Sequence, residues 1–149
     1  MPDNFNLARF ITAQDLVMED VLTELRTGQK ASHWMWFVFP QIQGLGSSSM
    51  ARRYAISSRA QGRAYHEHPV LGARLKQCTQ LVLDIEGRSV TQIFGFPDDQ
   101  KFRSCMTLFA EVAPEQPLFR AALQKYFAGE RDSRTLEILG TCPDRQGSD

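Results

Sequence analysis

Apolar residues return along this chain at steps of three and four, the spacing that gathers them on one side of an α-helix. Leu71, Leu75, Cys78, Leu81, Val82 and Ile85 form one such stripe, with Gly87 placed to end it. Phe102, Cys105, Met106, Phe109, Val112 and Ala113 form a second, opening after Pro97-Asp98-Asp99 and stopping before Pro114. Leu118, Phe119, Ala122, Leu123, Tyr126 and Phe127 make a third, closed by Gly129. Val17, Met18, Val21, Leu22 and Leu25 make a fourth that runs to Gly28. Shorter helices are expected at Leu7–Ile11, Ser49–Ile56, Arg59–His66, Thr91–Phe94 and Arg134–Leu139. Ser47, Ser58, Ser89 and Ser133 stand near helix starts, where a serine oxygen can accept from the otherwise unpaired first N–H groups.

Strand signals are thin. Only Trp36–Phe39 is rich enough in aromatic and β-branched residues to compete, and no partner strand lies nearby. No repeat period is visible, which argues against a solenoid. The pattern therefore predicts a compact all-α domain over residues 1–139, an irregular, orthogonal bundle of about seven to nine helices. Residues 140–149 are polar and aperiodic, and a flexible tail is expected there.

Composition narrows the function classes. A chain of 149 residues suffices for one domain with a real core. Seventeen Lys and Arg against seventeen Asp and Glu leave a formal net charge of zero, which argues against a dedicated nucleic-acid binder. No apolar stretch approaches the length of a membrane span, and no signal peptide is visible, so a cytoplasmic protein is expected. Cys78, Cys105 and Cys142 are widely spaced and form no C-x-x-C pair, so neither a metal site nor a disulfide framework is expected. Nothing in the sequence calls for a cofactor.

The densest chemistry lies in Ser32-His33-Trp34-Met35-Trp36-Phe37-Val38-Phe39-Pro40-Gln41, which holds both tryptophans of the chain. Two readings compete. The indoles can form a core plug, each N–H satisfied by an acceptor, or they can form a wall on which a planar ligand stacks beside His33, a group able to shuttle protons near neutral pH. A second candidate is Pro97-Asp98-Asp99 with Lys101 and Ser104. Carboxylates at a helix start suit its dipole, while Asp98, Lys101 and Ser104 at steps of three would project together and orient a polar substrate. A third is the run from Arg52 to Lys76, with six cations against the single anion Glu67. A solvated basic face explains it, and a small anion is the functional alternative. His66 and His68, two apart at a helix end, do not have metal-ligand spacing. Cys78 and Cys105 fall on apolar stripes, which favours burial over nucleophilic chemistry.

The aromatic segment, Gly44-Leu45-Gly46, Tyr54-Ala55-Ile56, His68-Pro69-Val70-Leu71-Gly72, Phe94-Gly95-Phe96-Pro97-Asp98-Asp99 and Lys101-Phe102-Arg103-Ser104-Cys105-Met106-Thr107-Leu108-Phe109 together resemble one family, that of domain of unknown function 1810. The likeness runs from about Phe5 to Leu139. Cys105 departs from it, since members often carry serine there. The resemblance implies a compact all-α domain and no established reaction. Some relatives bear the label calpastatin, but inhibitors of that kind are disordered, whereas this chain has strong apolar stripes.

The expected function is binding of a small nucleotide- or sugar-like ligand in a cleft between the aromatic segment and the Pro-Asp-Asp helix start. Trp34, Trp36, Gln41, Lys101 and Ser104 are the candidate ligand contacts, and His33 and Asp98 the candidates for acid–base work should there be catalysis. The alternative is a non-enzymatic interaction module or homodimer with the aromatics as its core.

Overall fold

The computed structural model describes residues 5–140. Among them ten helices form: α1 (Ala8–Asp15), α2 (Met18–Thr27), α3 (Met35–Val38), α4 (Ser49–Arg53), α5 (Arg59–Glu67), α6 (Leu71–Asp84), α7 (Val90–Phe94), α8 (Asp98–Val112), α9 (Leu118–Phe127) and α10 (Ser133–Gly140). No strand is present among the described residues; the nearest thing is an isolated parallel bridge, Ile42 with Ile56. The four long stripes become α6, α8, α9 and α2. The helix beyond the expected seven to nine is α3, a single turn occupying the one segment that competed as strand. Gly140, assigned by its polarity to the tail, closes α10, and the rest of that tail lies outside the described residues.

Helix ends follow from local chemistry. Ser58 and Ser89 cap α5 and α7, and at α7 the cap is reciprocal with Gln92. At α4 the cap is Ser48 rather than Ser47, its hydroxyl accepting from Ala51 N. Ser133 is already helical, and Asp132 takes the capping role by accepting from Thr135 N and Oγ1. His68, just past α5, accepts from the amides of Val70 and Leu71 through Nδ1 and so caps the entry to α6.

α8 is the centre of the molecule. Its residues Ser104 to Ala110 are all buried, and it packs against α5, α7, α9 and α10. A helix buried nearly all round requires aromatic and small residues on most faces, which Phe102, Cys105, Met106 and Phe109 supply. Around it the rings interlock: Phe39 meets Phe102 edge-on at 5.1 Å, Phe94 stacks on Phe102 at 4.9 Å, and Tyr65 meets Phe109 at 5.4 Å. α5 and α6 approach so closely that a Cβ on Gly72 would lie 2.0 Å from the carbonyl oxygen of His66.

A polar thread enters this core. Asp15 pairs with Arg74 at 2.7 Å, Arg74 donates to Gln14 Oε1 at 3.3 Å, and Gln14 Nε2 donates to the Tyr65 hydroxyl at 2.9 Å and to the Phe37 carbonyl at 2.7 Å. Each buried polar group in it is satisfied, the condition for such a thread to be tolerated. Burial pushes the Tyr65 phenol far above its ordinary value, so it stays protonated.

Candidate functional site: the Trp36 surface

The aromatic segment is positioned by the end of α2. Gly28 adopts a left-handed conformation, φ +87°, that ends the helix and turns the chain back on itself. The returning segment passes Glu24, whose carboxylate accepts from Ala31 N at 2.8 Å, Ser32 N at 3.1 Å, Ser32 Oγ at 2.5 Å and Trp34 Nε1 at 2.9 Å. Partial burial raises the Glu24 carboxyl, and these four donors outweigh it, so it rests below the usual carboxylate range. Sequence reading passed over Glu24 because it sits ten residues before the indole it holds; its one signal was an acid in a helix followed by glycine.

The two tryptophans have different fates. Trp34 is wholly buried, its N–H on Glu24 and its ring packed at 6.3 Å from Phe39. It is a structural residue and lines no open surface. Trp36 is half-buried, with Lys101 Nζ at 5.6 Å from its ring centroid and the exposed His33 ring at 6.5 Å. An ammonium at that distance from an indole face is attracted to the ring quadrupole.

α8 brings its tip to the same place. Asp98 accepts an ion pair from Lys30 at 2.9 Å and a longer one from Lys101 at 3.6 Å. Lys30 was not singled out by any motif, yet it joins the two segments: its Nζ also donates to the Ser32 carbonyl at 2.6 Å and lies 5.0 Å from the Trp34 ring. Its side chain is only 8% exposed, so this pair is largely shielded from water and from salt. Asp99 faces inward instead, accepting from the Thr91 hydroxyl at 2.7 Å and tying α7 to α8.

The structure thus brings together His33, Trp36, Lys101 and Asp98 with Lys30, and leaves the other expected contacts elsewhere. Ser104 is buried, its hydroxyl donating to the Gln100 carbonyl at 3.2 Å, so it is turned away from this surface. Gln41 meets Trp36 in a separate slit that Gln43, Arg52 and Tyr54 also line, and its carbonyl accepts from Ile56 N at 2.8 Å. That slit has an open volume of about 20 Å³, room for about one water. No hydrogen bond or ion pair joins His33 to Asp98 among the described residues.

Chemically, the cluster offers an indole face, an ammonium and a carboxylate already paired, and an exposed imidazole. The thiols offer nothing here: burial raises Cys78 to about 12 and Cys105 well above its ordinary value, so both are protonated and inert at neutral pH. Among the described residues no group of three or more His, Cys, Asp or Glu is placed to hold a metal, and no helix is long and apolar enough to cross a membrane.

Nine helices wrapped on a central aromatic-rich one among the described residues, with a single half-exposed tryptophan at the rim, define a small all-α domain. The chain belongs to the family described as protein of unknown function (DUF1810), whose model matches residues 4–139. It is similar to the conserved hypothetical protein Rv1873 from Mycobacterium tuberculosis, known from a crystal structure, at 51% identity and a TM-score of 0.92, over 93% of this chain and 99% of that one. No curated protein matches.

Proposed function

We propose that the protein binds a small polar ligand, nucleotide- or sugar-like, on the surface that Trp36 shares with His33, Lys101 and Asp98. The observation that carries this reading is the unequal use of the two indoles. Glu24 and the core fully employ Trp34, whereas Trp36 is only half-buried, beside one ammonium, an imidazole and a carboxylate. Exposed indole is costly unless something covers it, and planar or sugar rings stack on it well. Lys101 and Asp98 would orient hydroxyl or phosphate groups at the ring's edge, and the exposed His33 imidazole would hydrogen-bond a bound group.

Intrinsic fluorescence tests this directly, since these are the chain's two tryptophans. Titration with nucleotides, NAD-related compounds and sugars is expected to change the emission of the wild-type protein. Trp36→Phe, whose remaining emission comes from the enclosed Trp34, is expected to lose that response while keeping its thermal transition. His33→Ala and Asp98→Ala are expected to abolish ligand-induced thermal stabilisation without unfolding the protein. A response that persists in Trp36→Phe, or none from any compound, would refute the reading.

A protein-interaction role has its own supporting observation. Phe96, two residues before Asp98, is 80% exposed, an apolar ring that a partner or a second copy would cover. Concentration-dependent dimerisation lost in Phe96→Ala, with no compound shifting the transition, would favour it.

A further inference from the structure

On the face of α1, a second feature stands apart from the Trp36 surface. Arg9, Ala13 and Leu16 recur at steps of four and three, so they share one side of that helix over roughly 10 Å of its axis. With Val17, Arg53 and Tyr54 they border an open groove of about 420 Å³. That volume falls in the range of small-molecule sites, roughly 300–1,000 Å³.

The two ends of the groove differ in character. At the α1 N-terminal end, the Arg9 guanidinium donates to the carbonyls of Arg53 at 2.8 Å and Ala55 at 2.9 Å. Those bonds hold its charge beside Arg53. The exposed Arg53 guanidinium lies 5.5 Å from the Tyr54 ring centroid and has no carboxylate on it among the described residues. At the other end stand Ala13, Val17 and Leu16, the last 84% exposed. Glu19 and Asp20 follow in the first turn of α2, which makes that end unfavourable for an anion. Asp15 is already paired with Arg74.

We propose that this groove binds a medium-length acyl carboxylate, with its head on Arg53 and its chain laid along α1 toward Leu16. The charge pattern sets the sign of the head: two arginines favour an anion, and Arg53 carries no carboxylate among the described residues. The same pattern sets direction, since an anionic head at the Leu16 end would sit next to the first turn of α2, which carries Glu19 and Asp20. The size sets the class. A protein partner needs roughly 800 Å² of surface per side, far more than about two turns of one helix bordering a groove of this volume can offer.

Isothermal titration of the full-length protein with decanoate tests the proposal, with decanol and decyltrimethylammonium as chain-matched neutral and cationic probes. Decanoate is expected to saturate one site and to bind about tenfold or more tightly than the cation, with the alcohol between them. Arg53→Glu, and Leu16→Glu at the far end, are each expected to weaken decanoate about tenfold while leaving the thermal midpoint in place, since both side chains are exposed. Arg53→Gln should weaken it less than Arg53→Glu. Trp36→Phe is expected to leave it unchanged, which separates this groove from the Trp36 surface. Equal affinity for anion and cation, absence of saturable binding, or indifference to both glutamate variants would overturn the assignment. So would a dimer abolished by Leu16→Glu in a protein that does not take decanoate, which would give the groove to a second copy.

Discussion

Removing the Glu24 carboxylate is expected to loosen the whole aromatic segment. Glu24→Ala deletes four acceptor contacts at once, and they are unequal in cost. Trp34 is wholly buried, so its indole N–H would be left without any partner, at roughly 1–3 kcal/mol. The Ala31 amide is exposed and Ser32 is half-buried, so water replaces Glu24 there and their combined loss is about 1 kcal/mol. The total is about 3 kcal/mol, which for a domain of this length lowers Tm by roughly 6–12 °C. Glu24→Gln keeps one oxygen and turns the other position into a donor facing donors, so it should retain about half the stability lost by alanine. Urea unfolding followed by far-UV circular dichroism measures all of these. The decisive control is the double-mutant cycle with Trp34→Phe: without the indole N–H, Glu24→Ala should cost about 1–2 kcal/mol less. A loss below about 0.5 kcal/mol for Glu24→Ala alone, or strict additivity in the cycle, would refute this account of why Trp34 is buried.

Two further outcomes follow from the α5–α6 junction. His66 has both ring nitrogens buried without a hydrogen-bond partner and its ring against Phe119 at 5.8 Å; burial, with Lys76 and Arg63 nearby, depresses its pKa below the ordinary 6.5. The unfolded chain therefore binds a proton that the folded one refuses, and stability is lost as pH falls from about 6.5 toward the depressed value. The loss cannot exceed about 1.4 kcal/mol per pH unit, and His66→Phe should flatten it when urea midpoints at pH 7 and pH 5 are compared. Below pH 4.5 the lowered Glu24 carboxyl adds a separate acid-induced loss that this variant leaves intact. Gly72→Ala places a methyl 2.0 Å from the His66 carbonyl oxygen, a backbone atom that cannot step aside. It should cost about 3 kcal/mol or more, and an unchanged Tm would show that the two helices are not so closely apposed.

The helices were legible wherever an apolar stripe ran for three turns or more, as in α6, α8 and α9, because period alone determines which side faces inward. Where an element is a single turn, period carries no information: α3 read equally as strand, and only packing shows that Trp34 goes in and Trp36 stays at the rim. Capping serines were legible to within one residue, because Ser47 and Ser48 are equally good acceptors in sequence and only backbone geometry chooses between them. The meeting of Trp36, Lys101 and Asp98 was anticipated from residue type, but the link between them was not. Lys30 belongs to no motif and Glu24 lies on another helix, and such partners emerge only after the Gly28 reversal. The α1 groove was illegible altogether, since it joins Arg9 to Arg53 across forty-four positions.

The same long-range clasps fix where the two ends of the described chain sit. Gln61 Nε2 donates to the Phe5 carbonyl at 2.6 Å, and Arg59 Nε reaches the Leu139 carbonyl at 3.5 Å, so first and last elements are moored two residues apart on α5. A short linker could therefore join them, and the chain could be reopened at exposed Gly87, where an added Cβ would meet no other part of the fold within 4 Å. The architecture is in effect circular, and a permuted version should reach the same native state with its new termini far from the old seam.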